Sequence, residues 1–167
     1  MIFHADSADV TFETIIDWQD DHRFLKTAFD VSVFADIARQ EIQFGCIQRP
    51  VTRNDSREQA MFEVCNHRYT DLSEPSRGIS ILKFEVGNHK YTDLSETRYG
   101  VSILNDCKYG ISVKDSRMHL SLHKGGVRPD WTGDHGKHRC TYVFHPHRGG
   151  FGAEQVIKPA YELNYPV

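Results

Sequence analysis

Apolar residues in this chain recur at alternate positions over short stretches, the period of a strand with one face buried. Phe29, Val31, Val33 and Ala35 alternate with Asp30, Ser32 and Phe34. Ile42 and Phe44 alternate with Glu41 and Gln43, and Met118, Leu120 and Leu122 with His119, Ser121 and His123. Cys140, Tyr142 and Phe144 alternate with Thr141 and Val143. Three short runs, Gly78–Leu82, Gly100–Leu104 and Gly110–Val113, each open on a glycine that can turn the chain. Short strands spaced in this way predict an all-β chain, a sandwich or a barrel. One helical competitor exists, Asp17–Phe29, in which Trp18, His22 and Leu25 would share a face. The strand reading is preferred there. Gly125–Lys137 and His147–Gly152 read as loops inside one domain rather than as linkers.

A tandem duplication interrupts this pattern. Phe62–Leu82 (FEVCNHRYTDLSEPSRGISIL) recurs as Phe84–Leu104 (FEVGNHKYTDLSETRYGVSIL), with a period of 22 residues and 15 of 21 positions identical. Two copies do not build a solenoid, which needs about three. Both compete for one place in the sheet, so one copy must loop out or add strands at an edge.

Composition narrows the class. The 167 residues are 39% hydrophobic and 26% charged, enough for one core and one domain. A net charge of −3 argues against a nucleic-acid binder, which carries a basic surplus. No apolar run approaches the ~18 residues of a membrane span, and the first residues lack the pattern of a signal peptide. The expectation is therefore a cytoplasmic protein with neither a nucleic-acid nor a membrane partner. Cys46, Cys65, Cys107 and Cys140 form no CxxC pair. They are expected to be reduced, buried thiols.

Candidate chemistry is sparse. His135, His138, His145 and His147 could supply imidazole to a metal, but no ligand spacing is met, and no metal site is assigned. A glycosidase needs two carboxylates at a set separation. Asp71, Glu74, Asp93, Glu96 and Asp106 are available, but spacing selects no pair, and no catalytic residue is assigned. The repeated TDLSE reads as a turn closed by local Asp or Ser bonds. Nucleophile elbows, Walker loops and dinucleotide fingerprints are lacking. The sequon at Asn54 reads as a turn. Trp18, Tyr69, Tyr91, Tyr99, Tyr109, Trp131 and Tyr142 have the apolar faces and polar tips that suit pyranose rings, although most are expected in the core or its rim.

Longer strings carry more. FETIIDWQDDHRFLKTAFDVSV (Phe12–Val33), QEIQFGCIQRPVTRN (Gln40–Asn54), FEVCNHRYTDLSE (Phe62–Glu74), YGVSILNDCKYG (Tyr99–Gly110), LSLHKGGVRPD (Leu120–Asp130) and HGKHRCTYVFHPH (His135–His147) occur in this order. Together they closely resemble the C-terminal β-domain of glycoside hydrolase family 38, the α-mannosidases, and within it the cytosolic type. The resemblance runs from about Val10 to Val167 and implies an antiparallel supersandwich of the galactose mutarotase type. It implies a retaining hydrolase of α-mannosides whose nucleophile, acid/base and divalent metal, zinc or cobalt, belong to an N-terminal α/β catalytic domain. No catalytic, metal or cofactor residue is thereby placed on this chain, which reads as an N-terminally truncated β-domain, inactive alone. The implied partners are that catalytic domain and a mannoside or mannose-containing oligosaccharide. Substrate-binding candidates are Asn105, Asp106, Lys108 and Tyr109, in the loop after a strand. The alternatives are a non-catalytic carbohydrate-binding module, a structural subunit completing a separate catalytic chain, and a metal-dependent hydrolase built on the four histidines.

Overall fold

The structure, a computed structural model, describes residues 1–42, 45–52, 54, 56, 90–126 and 134–165. Among these, β1 (Ile2–Phe3), β2 (Val10–Trp18), β3 (Phe24–Asp30), β4 (Ile37–Ile42) and β5 (Gly45–Pro50) precede the duplicated region. β6 (Tyr91–Ser95) and β7 (Tyr99–Asn105) lie in its second copy, followed by β8 (Ile111–Lys114), β9 (Arg117–Lys124) and β10 (Gly136–Arg148). A π-helical turn (Ala153–Ile157) leads into α1 (Lys158–Asn164).

Every ladder is antiparallel. One sheet runs β1-β2-β10-β7-β6-β4-β5, the other β3-β9-β8. They pack face to face. Ile16, Trp18, Leu94, Val101, Ile103, Cys140 and Tyr142 of the large sheet form one cluster with Ile111, Met118, Leu120 and Leu122 of the small one. Aromatic rings close the seam. Phe12 stacks on Tyr142 at 4.9 Å, and Phe29 meets Phe12 edge-on at 5.7 Å. The expected all-β antiparallel architecture is what the chain adopts.

The large sheet is covered on its other face as well. Tyr91, Leu104 and Val143 pack there against Val156 and Ala160 of the C-terminal segment, with Phe151, Ile157 and Leu163 at the margin. Consequently β6 and β7 are buried on both faces. Pro159 in the first turn of α1 pre-sets the helical backbone where the missing N–H costs nothing.

Several sequence readings change. Asp17–Phe29 is not a helix. It holds the end of β2, a turn with His22 at φ 54°, and most of β3. The alternation at Phe29–Ala35 holds in burial, with Val31 and Val33 inside and Phe34 outside, but the ladder stops at Asp30. TDLSE is not a turn in its second copy, because Thr92–Ser95 belongs to β6. The first copy, Phe62–Leu82, lies outside the described residues, as do Phe44, Cys65, Tyr69 and Trp131. Of the cysteines, Cys140 is buried, whereas Cys46 and Cys107 are exposed free thiols rather than core residues.

Candidate functional site

Two polar features lie along β7, one at its C-terminal end beyond Asn105 and one around Gly100 and Ser102, about 10–17 Å away. At its C-terminal end is the Asn105–Tyr109 loop. Asn105 is fully buried. Its side-chain carbonyl accepts a hydrogen bond from the Lys108 backbone N–H at 2.8 Å, which tightens the turn. Asp106 continues the ladder by donating its N–H to Thr141 O at 3.1 Å. Its Oδ2 accepts from the Thr141 N–H at 2.9 Å. The Asn164 amide caps Asn105 O at 3.0 Å, tying α1 to the loop. Asn105 Nδ2 and Asp106 Oδ1 are buried and find no partner among the described residues. Tyr109 is 44% exposed. Partial desolvation of its sulfur, with the hydrogen bond and charge of Asp106, pushes the Cys107 thiol up to about 12, so it is a poor nucleophile at neutral pH.

In the first half of β7 lies a polar network under the C-terminal segment. Asp93, fully buried, accepts from Ser95 Oγ, from Ser102 Oγ at 2.9 Å and from His147 Nε2 at 2.9 Å. The register produces this convergence. Asp93 pairs with Ser102 across β6–β7, and Ser95 pairs with Gly100, which pairs with His147 across β7–β10. Gly100 makes room for the ring, because a Cβ there would stand 2.4 Å from His147 Cε1. The group contains Ser, His and Asp but not the triad geometry. Both hydroxyls donate to the carboxylate and neither to the imidazole, whose Nδ1 has no partner among the described residues. Its chemistry is to hold one buried carboxyl group with three hydrogen-bond partners.

An open cleft of about 820 Å³ adjoins this network at Ser95. The Ser95–Arg98 hairpin forms one wall, Phe34–Ile37 with Arg39 the other, and Gly150–Phe151 the end. The Phe34 backbone N–H donates to Glu96 Oε1 at 2.6 Å, fixing one wall on the other. Nothing in the local pattern announced this site, since its walls are 60 residues apart in sequence.

The four histidines do not converge. His135 bonds Asp21 at 2.8 Å, and His138 bonds Asp134 O at 2.8 Å. His145 and His147 stand at the far end of β10 with ring centroids 5.8 Å apart. Among the described residues no three His, Cys, Asp or Glu side chains are grouped to hold a metal. Of the aromatics, Trp18, Tyr91 and Tyr142 are core residues, and Tyr99 and Tyr109 reach solvent. No helix of the described residues is long and apolar enough to cross a membrane.

The described residues form a two-sheet antiparallel β-domain whose central strands are covered on both faces. Comparison with known proteins specifies which. The model of the glycosyl hydrolases family 38 C-terminal domain matches residues 1–84 and 82–132. The chain belongs to that family. The seam between the two matched stretches falls at the junction of the duplicated copies. The chain is 40% identical over 158 residues to human alpha-mannosidase 2C1, 95% of its own length. It is 40% identical over 164 residues to alpha-mannosidase G of Dictyostelium discoideum and 39% identical over 152 residues to the Saccharomyces cerevisiae alpha-mannosidase. It spans only about 13% of the length of these relatives. Among solved structures, an alpha-mannosidase from Enterococcus faecalis V583 superposes with a TM-score of 0.70 at 15% identity, over 96% of this chain and 17% of that one.

Proposed function

We propose that this chain is the non-catalytic β-portion of an α-mannosidase that removes terminal α-mannosides in the cytoplasm. The observation that supports this most directly is similarity over 95% of this chain, at 38–40% identity, to a stretch of proteins named alpha-mannosidase. In this reading the chemistry belongs to the α/β catalytic domain of the family, which also holds the divalent metal. This chain packs against that domain and walls the substrate groove with the Asn105–Tyr109 loop. Asn105 and Asp106 shape the loop. Lys108 and Tyr109 reach the mannoside. Asn105 Nδ2 and Asp106 Oδ1, buried and without a partner among the described residues, support this, since such atoms are costly unless something bonds them.

Complementation tests the reading. The purified chain is added to a relative's α-mannosidase from which the matching segment has been removed, and hydrolysis of p-nitrophenyl α-mannoside is followed. Restored hydrolysis is expected. Tyr109→Ala and Lys108→Ala are expected to lower kcat/KM about tenfold, the size of one lost hydrogen bond or ring contact, while the complex still forms. A chain that binds without restoring hydrolysis, or that does not bind, overturns the reading.

A further inference from the structure

The cleft at the other end of β7 has a composition that selects its ligand. Phe34 is 85% exposed. A large aromatic ring left in solvent beside a concavity is a binding platform or a liability, and here its backbone is pinned by Glu96. The opposite wall supplies the Ser95 hydroxyl, whose proton is committed to Asp93, leaving its oxygen as an acceptor. Glu96 and Arg98 add an acceptor and a donor. A volume of about 820 Å³ lies within the range of small-molecule sites, ~300–1,000 Å³. An anionic ligand would meet Asp36 and Glu96. An apolar ligand would strip water from charged side chains on both walls. Arg39, the remaining cation, lies over the Phe151 ring at 5.5 Å. A neutral, polyhydroxylated ring with one apolar face satisfies all of these groups together.

We propose that this cleft is a second carbohydrate-binding site, which stacks a pyranose ring on Phe34 and holds its hydroxyls with Ser95, Glu96 and Arg98. It lies about 20 Å along β7 from the Asn105–Tyr109 loop, too far for one monosaccharide to reach both. The choice of an α-mannoside as its ligand rests on the function proposed above. The site itself does not.

The test is a titration of the ¹⁵N-labelled 167-residue chain with methyl α-mannoside and with a mannotriose, followed by amide shifts. Saturable shifts at Phe34, Ala35, Glu96, Arg98 and Gly150 are expected, with tighter binding of the trisaccharide. Phe34→Ala is expected to weaken binding at least tenfold with an unchanged melting temperature, because the ring packs on little. Absence of shifts at the highest sugar concentration overturns the proposal, as does undiminished binding by Phe34→Ala. Shifts confined to Asn105–Tyr109 overturn this proposal while leaving the proposed function intact. Failed complementation with sugar still bound at Phe34 does the reverse.

Discussion

At the scale of single residues, the Asp93 hub decides what the centre of the large sheet tolerates. A buried carboxylate survives because three donors converge on it. Asp93→Ala removes the common acceptor and strands Ser95, Ser102 and His147. A loss of about 3 kcal/mol in urea unfolding is expected, from the ~1–3 kcal/mol that each unsatisfied buried group costs. Gly100→Ala should cost about 1–3 kcal/mol by overpacking, because the new methyl displaces His147 from the hub. If Gly100→Ala melts like the parent, the close approach of His147 is not a feature of the folded protein. The sequence made this hub hard to see. Local hydrogen bonding explains a TDLSE turn equally well, whereas the partners of Asp93 stand 9 and 54 residues away. The glycine opening Gly100–Leu104 was legible, but as a turn signal. Its work is to admit a ring across the sheet.

At the scale of elements, His145 links three of them. Its Nδ1 lies 2.6 Å from Asp9, just before β2, and its Nε2 2.7 Å from Gln155 O in the π-helical turn. Two acceptors on two ring nitrogens call for the imidazolium. Desolvation pushes the His145 pKa down. The Asp9 and Gln155 bonds and the charges of Asp9 and Asp93 outweigh it, and the net shift is upward. Burial likewise pushes Asp9 up, but the bond and charge of His145, with Ser7 and His4, leave it lowered. A raised imidazole stabilises fully below its unfolded value, ~6.5, and loses that contribution as pH rises through the folded value. A lowered carboxylate contributes above ~3.8 and loses its contribution in acid. The tie is thus strongest between those two titrations. An NMR titration of the ring should place the His145 midpoint above ~6.5, and Asp9→Asn should lower it. A midpoint unmoved by Asp9→Asn would show that the pair does not form. Strand patterns were readable for β9 and β10, where one face is apolar. The histidines on β10 were readable only as candidates for a metal, because no periodicity states which loop or turn will meet a given ring. The C-terminal helix was missed for a related reason. Its seven residues are too few to establish a period, and Pro159 was its one local signal.

At the scale of the whole molecule, the duplication decides what is essential. The second copy supplies β6 and β7, which fill the sheet between β4 and β10 through continuous antiparallel registers. β5 ends at Pro50 opposite Ile37, whereas β6 starts at Tyr91, one residue before the Thr92–Gln40 pair, so the connection crosses two strand spacings and runs back along β4, about 17 Å in all. Deleting residues 62–83 removes one full period of 22 from the 40 residues between Pro50 and Tyr91, and the remaining 18 span that distance with ease. The deletion should therefore restore a single-copy domain with the same sheet order. Its near-UV circular dichroism should match the parent's, because Phe12, Phe29 and Tyr142 pack elsewhere. Its melting transition should stay cooperative, with a stability change of no more than about 1 kcal/mol, since loop closure costs only ~0.6 kcal/mol per doubling of length. Deleting residues 84–105 instead would discard Gly100, Ser102 and Asn105 together with β6 and β7. It would require Asp71, Ser73, Gly78 and Ser80 of the first copy to rebuild the hub around His147, on a chain that continues from Lys83 into Asp106 without an asparagine to hold Lys108. That variant should lose the Asn105 turn, and with it the cap from Asn164, even where the sheet re-forms. Equal melting curves for the two deletions would mean that the copies are interchangeable. A lower transition for the second alone would mean that the sheet depends on the copy continuing into the Asn105–Tyr109 loop.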